Sequence, residues 1–116
     1  TRDGKPVMSF GVMGGDIQPQ GHLQTMVRMV DYGQQPQAAC DAPRWKLNRD
    51  FTLDTEEGMN PDTVQGLKDL GHVLHSTDDT YMDFGAGQFI WKLSDDQNDG
   101  YVAASDPRRD GQAVGF

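Results

Sequence analysis

Apolar and polar residues alternate over residues 7–12, and this period of two predicts a β-strand. Within residues 7–12 the side chains of Met8, Phe10 and Val12 fall on one face. Gly14 and Gly15 follow, and we expect them to end the strand, because glycine accepts positive φ angles and allows close approach of another group. A helix is predicted to follow this turn, because Pro19 suits a first helical turn.

The period then changes to that of an amphipathic helix over residues 21–32. Its apolar positions recur at i, i+3, i+4 and i+7 and are Leu23, Met26, Val27 and Val30. We therefore expect this stripe to be buried, with Gln24 and Arg28 away from it. Gly33 stands where a left-handed C-cap is expected. His22, in the first turn, is interpreted as a neutral hydrogen-bonding residue.

The rest of the chain predicts short elements of both kinds. A second helix, over 36–42, is stopped by Pro43. A third begins at the N-cap Asn60 and ends at Gly71. Its buried side is predicted to carry Val64, Leu67 and Leu70. Strands are predicted at 44–48, 51–54, 73–77, 88–93 and 100–105, the last two pairing as a hairpin. Phe89, Trp91 and Leu93 should share one face of that hairpin.

Composition narrows the possible partners. The chain has 116 residues, one domain's worth, with a net charge of −8, which disfavours nucleic acids and anionic membranes. No apolar run approaches the roughly 20 residues that span a bilayer. Cys40 is the only cysteine, which excludes an intrachain disulfide and a multi-cysteine zinc site. We expect Cys40 to be a small buried side chain.

Two arrangements of residues resemble metal sites, and both are rejected from the sequence. His72 and His75 are three residues apart, so in a strand they face opposite sides and cannot share a metal. The acidic loop 95–99, with Asp106, resembles a calcium loop, but Gln97 is a poor ligand there and both flanks read as strands. No metal or other cofactor is expected.

Two segments carry candidate chemistry. Consecutive N–H groups at Gly14 and Gly15 could form an oxyanion hole, although a plain tight turn is the simpler alternative. No phosphate-binding glycine motif is present. In the second segment, Asp106 precedes a proline and two arginines, where it can tie the loop by ion pairs. Arg108 could instead bind a substrate carboxylate.

Several motifs, in order and spacing, resemble the end of the small subunit of the gamma-glutamyltranspeptidase family. They are Gly-Val-Met-Gly-Gly-Asp-Ile-Gln-Pro-Gln-Gly-His-Leu-Gln (11–24), Val-Asp-Tyr-Gly (30–33), Ala-Pro-Arg-Trp (42–45), Leu-Gly-His (70–72), Gly-Gln (87–88) and Ala-Ser-Asp-Pro-Arg (104–108). The Gln-Pro-Gln-Gly-His variant looks closer to bacterial transpeptidase-like and acylase-like members than to forms with serine and arginine after the glycines.

The resemblance implies an α+β fold, with residues 1–116 as a single C-terminal fragment of a layered αββα N-terminal-nucleophile enzyme. It implies that the nucleophilic threonine lies upstream, since the surroundings of Thr1 do not match it. It assigns the oxyanion amides to Gly14 and Gly15. Asp16 and Gln18, beside them, are candidate substrate-binding residues.

The expected partners follow from the same resemblance. They are a small γ-glutamyl or related acyl-amide substrate, the rest of the small subunit and the large subunit. The fragment alone is expected to be inactive and to self-associate through uncovered sheet edges. A non-catalytic α+β binding module is the alternative. Bacterial cytoplasm and periplasm both remain open as the compartment.

Overall fold

The computed structural model describes residues 1–96 and 98–115, which form two three-stranded sheets and four short α-helices, with a 3-10 turn at Gly15–Ile17 and a π-helical segment at Val27–Asp31 on either side of the first helix. In chain order the elements are β1 (Met8–Met13), α1 (Gln18–Met26), α2 (Pro36–Asp41), β2 (Trp45–Leu47), β3 (Leu53–Glu56), α3 (Pro61–Asp69), β4 (Leu74–Thr77), α4 (Thr80–Asp83), β5 (Ala86–Lys92) and β6 (Tyr101–Ser105). This mixed composition confirms the predicted α+β class. Helix α4 was not predicted.

The first sheet has the antiparallel order β1-β5-β6, with β5 in the centre. Phe10 of β1 pairs with Phe89 of β5, and their rings stack with centroids 5.7 Å apart. Phe89 is buried together with Val12 and Cys40, so the main core lies between this sheet and helices α1 and α2. The predicted hairpin of β5 and β6 is confirmed, although Leu93 lies beyond the strand and is 54% exposed.

The second sheet has the order β2-β3-β4. Strands β2 and β3 are antiparallel, whereas β3 and β4 are parallel because α3 carries the chain back between them. The predicted cap of α3 is confirmed: the side chain of Asn60 accepts a hydrogen bond from the Asp62 N–H at 2.8 Å. The sheets of the protein are therefore largely antiparallel, with one parallel pair.

The helix predicted over 21–32 is observed as α1 with a π-helical continuation over Val27–Asp31, but its predicted inward face is wrong. Leu23 and Val30, expected in the core, are 56% and 55% exposed, whereas Gln24, expected outside, is buried. The cause is the close approach of α1 to β1: a Cβ at Gly21 would lie 2.7 Å from Cγ1 of Val12. Helix α1 can approach the sheet most closely on the side that carries Gly21, so this side faces inward. The apolar stripe is left facing outward.

Helix α3 shows a similar departure from prediction. Val64 and Leu67 are only half buried, and Leu70 is 79% exposed. The helix stands off the second sheet and leaves a groove of about 650 Å³, lined mainly by apolar side chains that include Trp45 and Leu53. Val64 and Leu67 lie on the less exposed side of α3 and Leu70 does not, and nothing among the described residues fills the space in front of the helix.

Candidate active site at the glycine turn

Gly14 and Gly15, called the glycine turn below, join β1 to the helical segment that leads into α1. Gly14 has φ of +134° and Gly15 has φ of +65°, both in the region that favours glycine. A Cβ on Gly14 would lie 2.6 Å from Cγ2 of Ile17 and 2.8 Å from Cα of Gly85. Position 14 therefore excludes any side chain, for conformational and steric reasons together.

The N–H groups of the glycine turn are left without protein acceptors. Among the turn, loop and side-chain hydrogen bonds of residues 1–96 and 98–115, none has the N–H of Gly14 or Gly15 as its donor. Gly15 is exposed and borders an open groove of about 480 Å³ that continues to Lys46 and Arg49. The turn also begins a helical segment, whose first N–H groups point away from the helix and favour negative charge.

The two predicted substrate-binding residues occupy different positions. Asp16 lines this groove, and its carboxylate lies 3.4 Å from the guanidinium of Arg49, with both side chains mostly exposed. Gln18 is exposed and does not line the groove. The structure therefore places Asp16, but not Gln18, on the same groove as Gly15.

His22 supports the strand that ends at the glycine turn. Its Nε2 accepts a hydrogen bond from the Val12 N–H at 3.3 Å, while Nδ1 lies 2.5 Å from the Gln18 carbonyl oxygen. A ring with its proton on Nδ1 satisfies both contacts, because Nε2 then accepts and Nδ1 donates. This is the hydrogen-bonding role predicted from the sequence.

A buried group of four charged residues lies behind the glycine turn and joins the two sheets. We call it the charged cluster: Arg44, Glu56, Asp106 and Arg108. Arg44 Nη2 lies 2.6 Å from Asp106 Oδ2, and Arg108 bridges Asp106 Oδ1 at 3.0 Å to the carboxylate of Glu56. The cluster links residues that are up to 62 positions apart.

The electrostatics of the cluster favour the ionised form of Asp106. Burial acts to raise the pKa of its carboxyl group, but the Gly87 N–H and the charge of Arg44 lower the pKa by more, so it lies below its ordinary value. Burial likewise acts to lower the pKa of Arg108, and the hydrogen bond to Glu56 outweighs it. The charges are therefore mutually neutralised inside the protein.

Arg108 is fully occupied by this cluster. Its guanidinium also donates to the carbonyl oxygens of Cys40, at 2.8 Å, and Ala42, at 3.2 Å, and its side chain is 7% exposed. The geometry therefore matches the structural alternative, in which Asp106 ties the loop through the arginines. It leaves Arg108 no free face for a substrate carboxylate.

Comparison with known proteins decides the family. The family model described as Gamma-glutamyltranspeptidase matches residues 1–116, the whole chain. The chain belongs to the gamma-glutamyltranspeptidase family.

Relatives in this family include hydrolases and an acylase. The chain is 37% identical to the glutathione hydrolase-like YwrD proenzyme of Bacillus subtilis, over 99% of the chain and 22% of that protein. It is 32% identical to the oxamate amidohydrolase proenzyme of Klebsiella pneumoniae, over 98% and 22%. The crystal structure of cephalosporin acylase from Bacillus halodurans superposes with a TM-score of 0.88 and 40% identity, over 100% and 21%.

These matches confirm the fold as that of the gamma-glutamyltranspeptidase and N-terminal-nucleophile hydrolase family. They also show that the chain spans about a fifth of the length of these relatives. The glycine turn and the charged cluster both lie within the part of the relatives that this chain matches.

Two glutamines that the sequence did not single out hold α1 against β2. The side-chain amide of Gln24 donates to the carbonyl of Trp45 at 2.8 Å and accepts from its N–H at 3.0 Å. Gln20 makes the same pair of bonds with Leu47, at 3.1 and 2.7 Å. Four helical residues rise about 6 Å and two strand residues about 6.6 Å, so the two spacings nearly match. The glutamine amides therefore pair with the backbone groups on the outer edge of β2, in the way that a neighbouring strand would.

Cys40 has the structural role that was predicted. It is fully buried, and burial, followed by the charge of Asp106, raises the pKa of its thiol to about 12. A thiol of such a pKa is protonated at neutral pH and is a poor nucleophile. Within the described ranges no three histidine, cysteine or acidic side chains cluster as metal ligands, and no helix has the length and apolarity to cross a membrane. Gln97, which belonged to the rejected calcium loop, lies outside these ranges.

Proposed function

We propose that this chain is the C-terminal part of an amide-cleaving acyl-transfer enzyme, and that the N–H groups of Gly14 and Gly15 bind the oxyanion of its tetrahedral intermediate. The observation that carries the proposal is the glycine turn itself: two consecutive N–H groups without acceptors, at the start of a helical segment and beside an open groove. Such a pair is the standard means of stabilising an acyl oxyanion.

The reaction follows N-terminal-nucleophile chemistry. A threonine hydroxyl, on a segment outside this chain, attacks the carbonyl carbon of an amide while the threonine's own α-amine accepts its proton. The carbonyl oxygen becomes negatively charged and is held by the two glycine N–H groups, which would lower the barrier by about 3 to 4 kcal/mol. The C–N bond then breaks, the amine leaves with the proton, and an ester links the acyl group to threonine. Water or an amine resolves that ester.

The names of the relatives support a shared reaction rather than a shared substrate. One is named for glutathione, one for oxamate and one for a cephalosporin. The chemistry common to these names is attack on an acyl carbonyl, for which backbone donors suffice whatever the acyl group. For this chain we propose γ-glutamyl amides or related acyl amides as substrates, with hydrolysis and transfer both open. The side chains beside the turn, Asp16 first among them, would select the acyl group.

We infer that the remaining partners of the chain are the rest of the small subunit and a large subunit. The outward stripe of α1 and the groove in front of α3 are apolar surfaces that water would otherwise cover. They suit burial against further segments like those of the relatives, of whose length this chain spans about a fifth. In isolation the same surfaces, and the edges of β1 and β6, favour self-association.

The proposal is tested on the complete polypeptide encoded by the reading frame that contains this chain. Release of nitroaniline from γ-glutamyl- and glutaryl-p-nitroanilide is measured for the natural enzyme and for Gly14→Ala and Gly66→Ala. Gly66 lies in α3, where an added Cβ meets nothing within 4 Å. We expect Gly14→Ala to lower kcat about 100-fold or more and Gly66→Ala to leave it unchanged.

Two results would contradict the proposal. One is a Gly14→Ala enzyme that folds and retains full turnover. The other is turnover by the isolated 116-residue chain that disappears in Thr1→Ala, because the nucleophile would then lie in this chain.

A further inference from the structure

The glycine turn is held from behind by residues 84–85, which precede β5. Gly14 lies opposite Gly85, since the pairing of Met13 with Ala86 continues by one residue. A Cβ on Gly14 would come 2.8 Å from Cα of Gly85. A Cβ on Gly85, whose φ is +67°, would come 2.1 Å from the carbonyl oxygen of Met13. The two backbones are thus as close as two glycines allow, and a displacement of one must displace the other.

Arg44 holds residues 84–85 in turn. Its Nη1 donates to the carbonyl oxygens of Phe84, at 2.9 Å, and Gly85, at 3.3 Å. Both Arg44 and Phe84 are fully buried, so water cannot replace these hydrogen bonds. The guanidinium therefore holds the backbone that backs the glycine turn.

Arg44 is itself fixed at two further points. Its Nη2 binds Asp106 Oδ2 at 2.6 Å, and its backbone N–H donates to Glu56 at 2.6 Å. The same Asp106 oxygen accepts the Gly87 N–H at 2.8 Å, so the backbone is held on both sides of Ala86. A continuous set of buried contacts runs from the charged cluster to the glycine turn.

We propose that Arg44 is a positioning residue for the oxyanion donors: through Phe84 and Gly85 it fixes the direction of the N–H groups of Gly14 and Gly15. This inference rests on the proposed function and assigns a task to a residue that touches neither substrate nor nucleophile. Donors to a developing oxyanion must be placed in advance of the reaction, to within a few tenths of an ångström, if they are to lower its barrier.

Lysine could not replace Arg44 in this task. The planar guanidinium offers donors in fixed directions and reaches Asp106 on one side and two carbonyls on the other, whereas an ammonium group is a single point. In Arg44→Lys the charge is kept but residues 84–85 lose at least one of their two contacts. The substitution therefore separates charge from geometry.

A matched control exists in Arg28. This arginine also donates to two consecutive carbonyls, those of Ala42 and Pro43, and is partly buried. None of its hydrogen bonds among the described residues reaches 84–85 or the glycine turn. Arg28→Lys therefore reproduces the loss of an arginine fork next to Arg44 while it leaves the hydrogen bonds of Arg44 to residues 84–85 in place. Asp106→Asn is a milder second variant, because the amide keeps an acceptor for the Gly87 N–H.

The experiment measures kcat, KM and two inhibition constants for the complete polypeptide and these three variants. One inhibitor is a boronic acid analogue of the γ-glutamyl donor, which mimics the tetrahedral intermediate; the other is glutamate, which mimics the ground state. In Arg44→Lys we expect kcat to fall about 10- to 100-fold, KM and the glutamate constant to stay within about twofold, and the boronate constant to rise in proportion to the loss of kcat. Asp106→Asn should show the same pattern more weakly, and Arg28→Lys should not show it.

Hydrogen–deuterium exchange supplies a readout that does not depend on activity. We expect the peptides that contain residues 11–13 and 84–88, which pair in the first sheet and include the Gly87 N–H bonded to Asp106, to exchange faster in Arg44→Lys and Asp106→Asn than in Arg28→Lys. Equal exchange in all three, or a loss of kcat with an unchanged boronate constant, would overturn the positioning role. Absence of turnover in the natural enzyme would instead overturn the proposed function, and the exchange result would still decide whether Arg44 holds the turn.

Discussion

The glycine turn and the charged cluster meet at residues 84–85 but use their hydrogen-bonding groups in opposite ways. In the cluster, a single carboxylate, that of Asp106, accepts hydrogen bonds from Arg44, Arg108 and the Gly87 N–H, and the side chains of Arg44 and Asp106 are buried. In the turn, the two neighbouring N–H groups donate none of the turn, loop and side-chain hydrogen bonds of residues 1–96 and 98–115, and Gly15 borders an open groove. Among the buried side-chain atoms of the cluster in the described residues, Arg44 Nε alone has no hydrogen-bond partner. The comparison teaches that the closely bonded region can supply rigidity, so that the turn can keep its donors available.

The largest effects should come from breaking the buried pair of Arg44 and Asp106. Arg44→Met would leave Asp106 without its main cationic partner and should lower the free energy of unfolding by about 3 to 5 kcal/mol. Urea unfolding of Arg44→Met, Asp106→Asn and the double variant gives the coupling, which we expect at about 1 to 3 kcal/mol. The exposed pair of Asp16 and Arg49, tested in the same way, should show no measurable coupling. Equal coupling in the two pairs would remove the distinction.

The same pair predicts the sign of a pH effect. The pKa of Asp106 lies below its ordinary value, so its contribution to stability is present above about pH 4 and is lost as the pH falls through the lower, folded-state pKa. Unfolding measured across this range should depend less steeply on pH in Asp106→Asn than in the natural protein. A parallel dependence in both would contradict the assignment.

Within the glycine turn itself, the two positions should respond unequally to alanine. Gly14→Ala combines a strained φ with contacts below 3 Å and should cost about 2 to 4 kcal/mol of stability. Gly15→Ala meets no neighbour within 4 Å and should cost only about 1 kcal/mol, from its positive φ. Urea unfolding of both variants makes the comparison. Equal costs would indicate that the close approach of Gly14 to Gly85 is absent in solution.

A smaller difference is expected between the two glutamines of α1. Gln24→Ala would leave the buried bonding groups of Trp45 unpaired, at a cost of about 1 to 3 kcal/mol. Gln20→Ala acts near solvent, where water replaces the amide, and should cost less than about 1 kcal/mol. Thermal unfolding distinguishes the two. A larger loss of stability in Gln20→Ala than in Gln24→Ala would show that the exposed hydrogen bonds of Gln20 hold α1 against β2 more strongly than those of Gln24.

The smallest effect concerns an exposed carboxylate that contrasts with Asp106. Hydrogen bonds from Lys5 and then Lys92 lower the pKa of Asp95 to about 2. Because the site is exposed, salt should screen it and return the pKa toward its ordinary value. Carboxyl carbon shifts followed by NMR at low and high salt test this. A pKa that does not respond to salt would mean that Asp95 is less exposed than the structure shows.

Local patterns predicted most of the elements and the inward faces of β1 and β5, but not those of the helices. Asn60 and Pro61 fixed the start of α3, and alternation fixed β5 and β6, because caps and periods act over a few residues. The period of α1 was also correct, yet Leu23 faces outward. A helix between two layers has two surfaces to cover, and the period alone does not say which of them meets the nearer sheet.

The candidate site was predicted only where its members are neighbours in sequence. Gly14 and Gly15 could be singled out as a pair, and Asp106 with Arg108 as a tied loop. Arg44 and Gly85 could not be connected, because they are far apart in the chain and a single sequence contains no signal of their contact. Arg44 opened a predicted strand and belonged to a motif of the family resemblance, but neither observation indicated that its side chain is buried.

The central claim is that the N–H groups of Gly14 and Gly15 bind the acyl oxygen. A crystal structure of the complete enzyme with the boronate adduct tests it most directly. We predict a boronate oxygen about 2.7 to 3.1 Å from the backbone nitrogens of both Gly14 and Gly15. A boronate oxygen held by other donors, with the glycine turn facing away from it, would contradict the account.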